Sequence, residues 1–280
     1  MIIFKTVSQL DAFVKKIKAA EKKIGFVPTM GALHLGHISL VKTSKKENDL
    51  AVCSIFVNPT QFNNVVDYEK YPVTIETDLD KLEAAGCDVV FLPSLEEVYP
   101  KGKEFPVYEL GYVETVLEGK FRPGHYQGVC RVVDRLLMVV KPVTLYLGQK
   151  DYQQCMVIKK LIDLNGFNIA THIEKTVREH DGLAMSSRNA HLNDKERKLA
   201  GKIFETLSFI KNNVKTGKLE SIKVQATTFL SGHGFKVDYV EIADATNLEI
   251  LQHWNGTTTA VALVAAYLNE VRLIDNFILD

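Results

Sequence analysis

Pro28-Thr29-Met30-Gly31-Ala32-Leu33-His34-Leu35-Gly36-His37 follows the apolar run Ile24-Gly25-Phe26-Val27 and leads into Ile38-Ser39-Leu40-Val41. An apolar run, a glycine-bearing turn and an amphipathic continuation predict a strand, a tight turn and a helix that starts at His37. Gly31 and Gly36 can take backbone angles closed to other residues and lack a Cβ, so the main chain can approach a ligand closely. The unpaired N–H groups of a helix's first turn attract anions. His34 and His37, at i and i+3, share one side of that turn and add side-chain donors. The expected ligand is a nucleotide. Taken alone, either imidazole reads more simply as an ordinary packed or surface residue. A zinc pair on a helix would be spaced i, i+4 with a glutamate between, and that glutamate is absent.

Outward from this stretch, up to about residue 176, short β-branched runs alternate with helical ones. Strands are expected at Ile24–Val27, Ala51–Val57, Val89–Leu92, Thr144–Leu147 and Ile169–Ile173. Helices are expected at Leu10–Lys22, His37–Glu47, Thr74–Ala85, Tyr126–Val140 and Tyr152–Leu164. Strands apolar on both faces and separated by helices predict an α/β fold: a Rossmann-like parallel sheet in an N-terminal domain, residues 1–176. Such sheets bind ligands beyond their strands' carboxyl ends, where strand order reverses. The Pro28–His37 turn sits at such an end. After about residue 190 the texture changes. Asn193, with Glu196 three residues on, opens a long helix in the manner of a capping box. A further helix is expected over Ser221–Leu230, then strands at Val237–Ile242, Thr259–Leu268 and Leu273–Ile278. Residues 177–280 are thus expected to form a smaller α+β C-terminal lid domain, with a cleft between the two.

The 280 residues are 46% hydrophobic and 24% charged, which is ordinary for a globular chain. Lys plus Arg and Asp plus Glu number 34 each, so no global field favours nucleic acid. The longest apolar stretch, Thr259–Leu268, is about half a membrane span. Met1-Ile2-Ile3-Phe4-Lys5 does not open like a secretory signal, so a cytoplasmic location is expected. Cys53, Cys87, Cys130 and Cys155 stand singly among apolar neighbours, as buried free thiols do in a reducing compartment.

Four more polar clusters stand where a parallel-sheet enzyme places its chemistry. Asn58-Pro59-Thr60-Gln61-Phe62 is an extended turn whose amides can grip hydroxyl or carboxylate oxygens, or simply a loop. Gly148-Gln149-Lys150-Asp151-Tyr152-Gln153-Gln154 puts a lysine at a presumed helix start, where its charge suits phosphate and a structural lysine would gain little. Val177 to Asn189, containing Met185-Ser186-Ser187-Arg188, offers hydroxyls and a guanidinium to a polyphosphate on a segment able to close. Arg122-Pro123-Gly124-His125-Tyr126-Gln127-Gly128 is a turn into a helix with Arg122 and His125 available to anions.

With Pro28–His37, Asn58–Phe62, Arg122–Gly128, Gly148–Gln154 and Asp181–Asn189 in this order, the chain resembles the pantothenate synthetase (pantoate–β-alanine ligase) family, within the HIGH-type nucleotidyltransferases. The resemblance runs over essentially the whole chain. It implies ATP-dependent condensation of pantoate with β-alanine through a pantoyl adenylate, releasing pyrophosphate and then AMP, in the route to pantothenate and coenzyme A. It implies His34, His37 and Lys150 as catalytic residues, with His37 as proton donor in the second step. ATP would be held by Met30, Gly31, Ala32, Leu33, His34, Leu35, Gly36 and His37, by Gly148, Gln149, Lys150 and Asp151, and by Val177, Met185, Ser186, Ser187 and Arg188. Gln61 and Gln154 would hold pantoate, with Gln61 also near β-alanine. Mg2+ would accompany ATP, with Asp78 and Asp151 as candidate ligands and no set fixed. A homodimer is implied, with Ala51–Val57 or the neighbouring helices as possible contacts, and neither nucleic acid nor membrane as partner.

The chain departs from the family pattern at Leu35, Val73, Val143 and Lys175, none of which carries an implied role. Two rival readings remain at this point. A related adenylyl- or cytidylyltransferase would release a dinucleotide product, and a non-catalytic nucleotide sensor would not need groups matched to charge that develops only during reaction.

Overall fold

The computed structural model describes residues 1–279. Six strands form one wholly parallel sheet: β1 (Ile2–Phe4), β2 (Ile24–Thr29), β3 (Leu50–Ile55), β4 (Val89–Phe91), β5 (Thr144–Gly148) and β6 (Ala170–Glu174). Their order is β1-β4-β3-β2-β5-β6. From β2 the chain builds through β3 and β4 to one side, then returns to add β5 and β6 on the other. Order therefore reverses between β2 and β5, and the segments leaving these two strands open into one crevice. The expected strands are all present. The edge strand β1 was not expected: it is three residues long, and Ile2 and Ile3 are exposed. Strand β3 lies between β2 and β4 and is buried nearly throughout, so it presents no edge to a partner.

Helix His125–Val140 shows why packing outweighs propensity. It carries Val129, Val132, Val133, Val139 and Val140, and each β-branched residue disfavours helix by tenths of a kcal/mol. All five are buried, and burying one such side chain is worth about 1.5–3 kcal/mol. The helix packs on the sheet in the main core with Phe26, Val52 and Leu145.

The remaining strands are β7 (Gly217–Lys218), β8 (Lys236–Asp244), β9 (His253–Trp254), β10 (Ala260–Leu268) and β11 (Val271–Leu279). Strands β8, β10 and β11 make the expected antiparallel sheet in the order β11-β10-β8, and β7 pairs with β9. The period-two alternation of β10 divides its side chains between two cores. Ala260, Ala262, Val264 and Ala266 belong to a C-terminal core with residues of helices Lys202–Asn213 and Glu220–Gly232, while Val261 and Leu263 join the core of the parallel sheet. A strand buried on both faces reads as a continuous apolar run, as Thr259–Leu268 does.

The capping box at Asn193 and Glu196 is present, but the single long helix expected after it is two, Asp194–Ala200 and Lys202–Asn213, divided at Gly201. All four cysteines are buried and free. Among the described residues no helix is long and apolar enough to cross a membrane.

Candidate active site

The turn after β2 is held open by a buried carboxylate. Gly31 has φ +84° and Ala32 φ +50°, and this path aims the N–H groups of Ala32 and Leu33 at the two oxygens of Asp78, each 2.8 Å away. Gly31 thus uses the left-handed freedom open to glycine. Gly36 does not; it lies in the first helical turn, where an added Cβ would come within 3.0 Å of the His34 ring. Asp78, a candidate metal ligand from the sequence, is fully buried with both oxygens taken by the turn. It braces the loop instead of facing a metal.

The helix starts at Leu35, two residues earlier than expected, which makes His34 its N-cap and His37 its third residue. The two imidazoles form a reciprocal capping box. The Gly36 N–H donates to His34 Nδ1 at 3.2 Å, and the His34 N–H donates to His37 Nδ1 at 3.3 Å. Each Nδ1 is therefore an acceptor, and each ring keeps its proton on Nε2. The ring centroids are 4.1 Å apart. Burial, then the Lys150 charge, lowers the His34 pKa to about 4; burial, then His34, lowers His37 to about 3. Both rings are neutral Nε2–H donors at physiological pH.

Lys150 lies in the short turn Gln149–Asp151 that joins β5 to helix Tyr152–Leu164. This turn is tied to β11. The buried Asn276 donates from Nδ2 to the Gln149 and Lys150 carbonyls, both at 2.9 Å, and accepts from Gln149 Nε2 at 3.1 Å. The neighbouring Asp275 pairs with Arg178, whose guanidinium also lies over the rings of Phe204 and Phe277. Val177 to Met185 folds back on itself through Met185 N–H to Val177 carbonyl and the Arg178–Ala184 bridge. One strand thus anchors both the lysine turn and the start of the Ser-Ser-Arg segment.

These parts enclose one cavity of about 1500 Å³, counted out to its open mouth. Met30, His34, Gly36 and His37 line it from the β2 side, and Gly148, Lys150, Asp151 and Gln154 from the β5 side. Val177, Met185, Ser186, Ser187 and Arg188 line it from the C-terminal segment, and Gln61 from the loop after β3. Gly31, Ala32, Leu33, Leu35 and Gln149 are not on its wall. Leu33 is buried in the core beneath the turn, Leu35 is exposed, and Gln149 is engaged with Asn276.

Gln61 is oriented by its neighbours. The buried Asn58 donates to Gln61 Oε1 at 2.9 Å and to the Gly128 carbonyl at 3.1 Å, and it accepts from the Tyr99 hydroxyl at 2.7 Å. The Gln61 amide nitrogen is left with the Met30 sulfur at 3.2 Å, a weak acceptor that a ligand oxygen would displace. The Gln61 carbonyl accepts from His125 Nδ1 at 2.7 Å. Burial, then the Arg122 charge, lowers the His125 pKa to about 4, so the ring is neutral and its Nε2 accepts from Arg122 Nη1 at 3.3 Å.

Residues the sequence did not single out complete the wall. Phe56, Val129, Val133, Leu136 and Ile158 form an apolar surface in the same cavity as Gln61 and Gln154. Phe56 follows β3, and the spacing of the other four along their helices looks like core, which it also is. Tyr71 also lines the cavity: its hydroxyl accepts from Ser187 Oγ at 3.4 Å, and Arg188 lies over its ring while pairing with Asp67 at 3.1 Å. Among the described residues no group of three or more His, Cys, Asp or Glu is placed to hold a metal. A magnesium ion arriving with a triphosphate and keeping several of its waters needs only one or two carboxylates. Asp151, half-exposed on the wall, fits that need.

Residues 2–278 match the family model described as pantoate-beta-alanine ligase. A pantothenate synthetase of Azobacteroides pseudotrichonymphae genomovar. CFP2 is 44% identical over 278 residues, 99% of each chain. One of Porphyromonas gingivalis is 45% identical over 277 residues, 99% of this chain and 98% of its own. The crystal structure of pantothenate synthetase from Thermus thermophilus superposes with a TM-score of 0.91 at 38% identity, covering 99% of both chains. The Francisella tularensis pantoate-beta-alanine ligase, solved with beta-gamma ATP and beta-alanine, gives 0.83 at 40% identity, covering 99% of this chain and 97% of that one. Matched along essentially its whole length in sequence and in fold, the chain belongs to the pantoate–β-alanine ligase family.

Proposed function

We propose that the chain condenses pantoate with β-alanine at the expense of ATP, through pantoyl adenylate, and that His34, His37 and Lys150 carry the phosphoryl chemistry. One observation supports this most: two neutral imidazole donors and an ammonium, from segments more than a hundred residues apart in sequence, line the same cavity at the point where strand order reverses. In the first step a pantoate carboxylate oxygen bonds to the α-phosphorus and pyrophosphate leaves. The protein's part is to align the groups and meet charge growing on the phosphate oxygens. Donors already oriented by a capping box and by Asn276 need little rearrangement at that moment. In the second step the neutral amine of β-alanine bonds to the acyl carbon as the bond from that carbon to the phosphate oxygen breaks; the nitrogen gives up one proton and AMP leaves, with the His37 Nε2–H beside the departing phosphate.

Pantoate is a branched aliphatic acid with two hydroxyls. The apolar wall of Phe56, Val129 and Val133 suits its methyl groups, and Gln61 and Gln154 suit its polar end. Met30, Gly148, Val177 and Met185 to Arg188 would surround the nucleotide. Mg2+ would come with ATP and supply charge neutralisation along the triphosphate, with Asp151 as a carboxylate able to hold it. Residues 177–280 would act as a lid over a 1–176 nucleotide- and pantoate-binding domain, excluding water that would hydrolyse the mixed anhydride. We further propose a cytoplasmic homodimer. Incubation with ATP, magnesium, pantoate and β-alanine, omitting each acid in turn, tests the reading: sustained AMP release should require both acids and yield pantothenate. AMP release or a dinucleotide product without β-alanine would assign the chain to a different transferase.

A further inference from the structure

We propose that Arg122 is the cation that receives the carboxylate of the incoming amino acid, and so selects an acceptor bearing an acid group two methylenes from its amine. The inference rests on the ligase reading above. The amine must reach the acyl carbon beside Gln61 and Gln154, so the carboxylate is carried into the cavity as well. A carboxylate taken from water without a partner costs several kcal/mol, and the site must therefore present a cation on that side.

Four permanent cations line the cavity: Lys150, Lys175, Arg188 and Arg122. Lys150 sits with the imidazole pair, whose titration it lowers, and Arg188 is already paired with Asp67 over the Tyr71 ring. Lys175 follows β6 at the sheet's edge. Arg122 alone adjoins Gln61: its Nη2 is 3.5 Å from the Gln61 carbonyl, and it donates to the His125 ring that holds that carbonyl.

The partners of Arg122 are also poor for a guanidinium so little exposed. They stand at 3.3, 3.5 and, for Glu118, 3.9 Å. Arg272, on the same carboxylate, makes bonds of 2.7 and 2.8 Å to Glu118 and 2.8 Å to Asp238. Glu118 also accepts from the Tyr239 hydroxyl at 3.0 Å. Its charge is thus answered without Arg122, whose planar fork keeps donors for a second carboxylate. Space for one exists: Arg122, His125, Lys150, Asp151 and Gln154 line both the main cavity and a smaller recess beside it.

The test compares β-alanine with its amide, 3-aminopropanamide, which keeps the amine and loses the charge. At saturating ATP, magnesium and pantoate, the unsubstituted enzyme should prefer β-alanine strongly in kcat/KM. Arg122→Gln should lower kcat/KM for β-alanine about a hundredfold, chiefly through KM, and change that for the amide by no more than about threefold. Arg122→Lys, which keeps the charge opposite Glu118, should retain most of the preference with a raised KM. This ratio is independent of the fraction of folded enzyme. Pantoate-dependent exchange of pyrophosphate into ATP reports the first step, and in Arg122→Gln it should fall far less than ligation. An unaltered acid-to-amide preference in Arg122→Gln overturns the proposal, as does an equal loss of exchange and of ligation with both acceptors, which would make Arg122 a support of Gln61. Absence of exchange in the unsubstituted enzyme would instead reject the ligase reading.

Discussion

Asn276, near the end of the chain, donates to the main-chain carbonyl of Lys150 at 2.9 Å, so the last strand holds the backbone of the lysine proposed as catalytic in place. The same amide nitrogen serves the Gln149 carbonyl. Asn276→Ala leaves both carbonyls without this partner. It should cost about 1–3 kcal/mol of stability and lower adenylate formation about tenfold or more through misplacement of Lys150. Thermal melting and pyrophosphate exchange, measured on the same preparation, check both. Full exchange activity in a destabilised variant would show that the lysine does not depend on this contact.

His34 caps a helix and, in the proposed reaction, donates from Nε2, and the two can be separated. Asparagine caps at least as well as histidine but cannot reach as a ring does. His34→Asn should keep the melting temperature and lose about a hundredfold in adenylation, whereas His34→Ala should lose the rate and also about 1 kcal/mol of stability. Equal stability of the two variants would remove the capping role.

Both imidazoles titrate below the ordinary histidine value of 6.5, at about 4 for His34 and about 3 for His37, because burial disfavours their charged forms. Between these values and 6.5 the unfolded chain binds more protons than the folded one. The stability contributed by the neutral rings is therefore complete above 6.5 and is lost as pH falls toward 4. No loss of kcat/KM for ATP attributable to His34 or His37 should centre near 6.5, since that parameter reports free-enzyme ionisations. NMR titration of the ring protons checks the values directly, and either ring titrating at 6 or above would contradict the account.

Gly128 lets helix His125–Val140 lie close against the turn that bears Gln61. A Cβ there would stand 2.1 Å from the Thr60 carbonyl oxygen and 2.7 Å from the Gln61 nitrogen. Gly128→Ala must push the two backbones apart, at a cost of about 1–3 kcal/mol, and carry Gln61 away from where it is proposed to hold pantoate. Pantoate KM should rise about tenfold while ATP KM moves little. An unchanged pantoate KM would separate Gln61 from pantoate binding.

Much of this site was legible along the chain, because strand β2, its turn and its helix are consecutive and their apolar periodicity is strong. The turn after β5 was legible for the same reason. What local pattern could not show was partnership across space. Asp78 reads as a candidate magnesium ligand until the turn of Ala32 and Leu33 is seen folded onto it. Asn276 carries no local signal, since its importance comes from where β11 lies against the Lys150 turn. Val129 and Val133 read as core because a helix face can be core and cavity wall at once. The helix break at Gly201 and the short strand β1 escaped because a single glycine and three exposed-to-intermediate residues weigh little against longer patterns.

The central claim is spatial: one cavity holds the adenylate between the imidazole pair and Lys150. A crystal structure obtained with ATP, magnesium and pantoate, with β-alanine withheld, tests it most directly. The account predicts pantoyl adenylate with its phosphate oxygens within hydrogen-bonding distance of His34 or His37 Nε2 and Lys150 Nζ. A nucleotide bound with its α-phosphate away from these groups would contradict it.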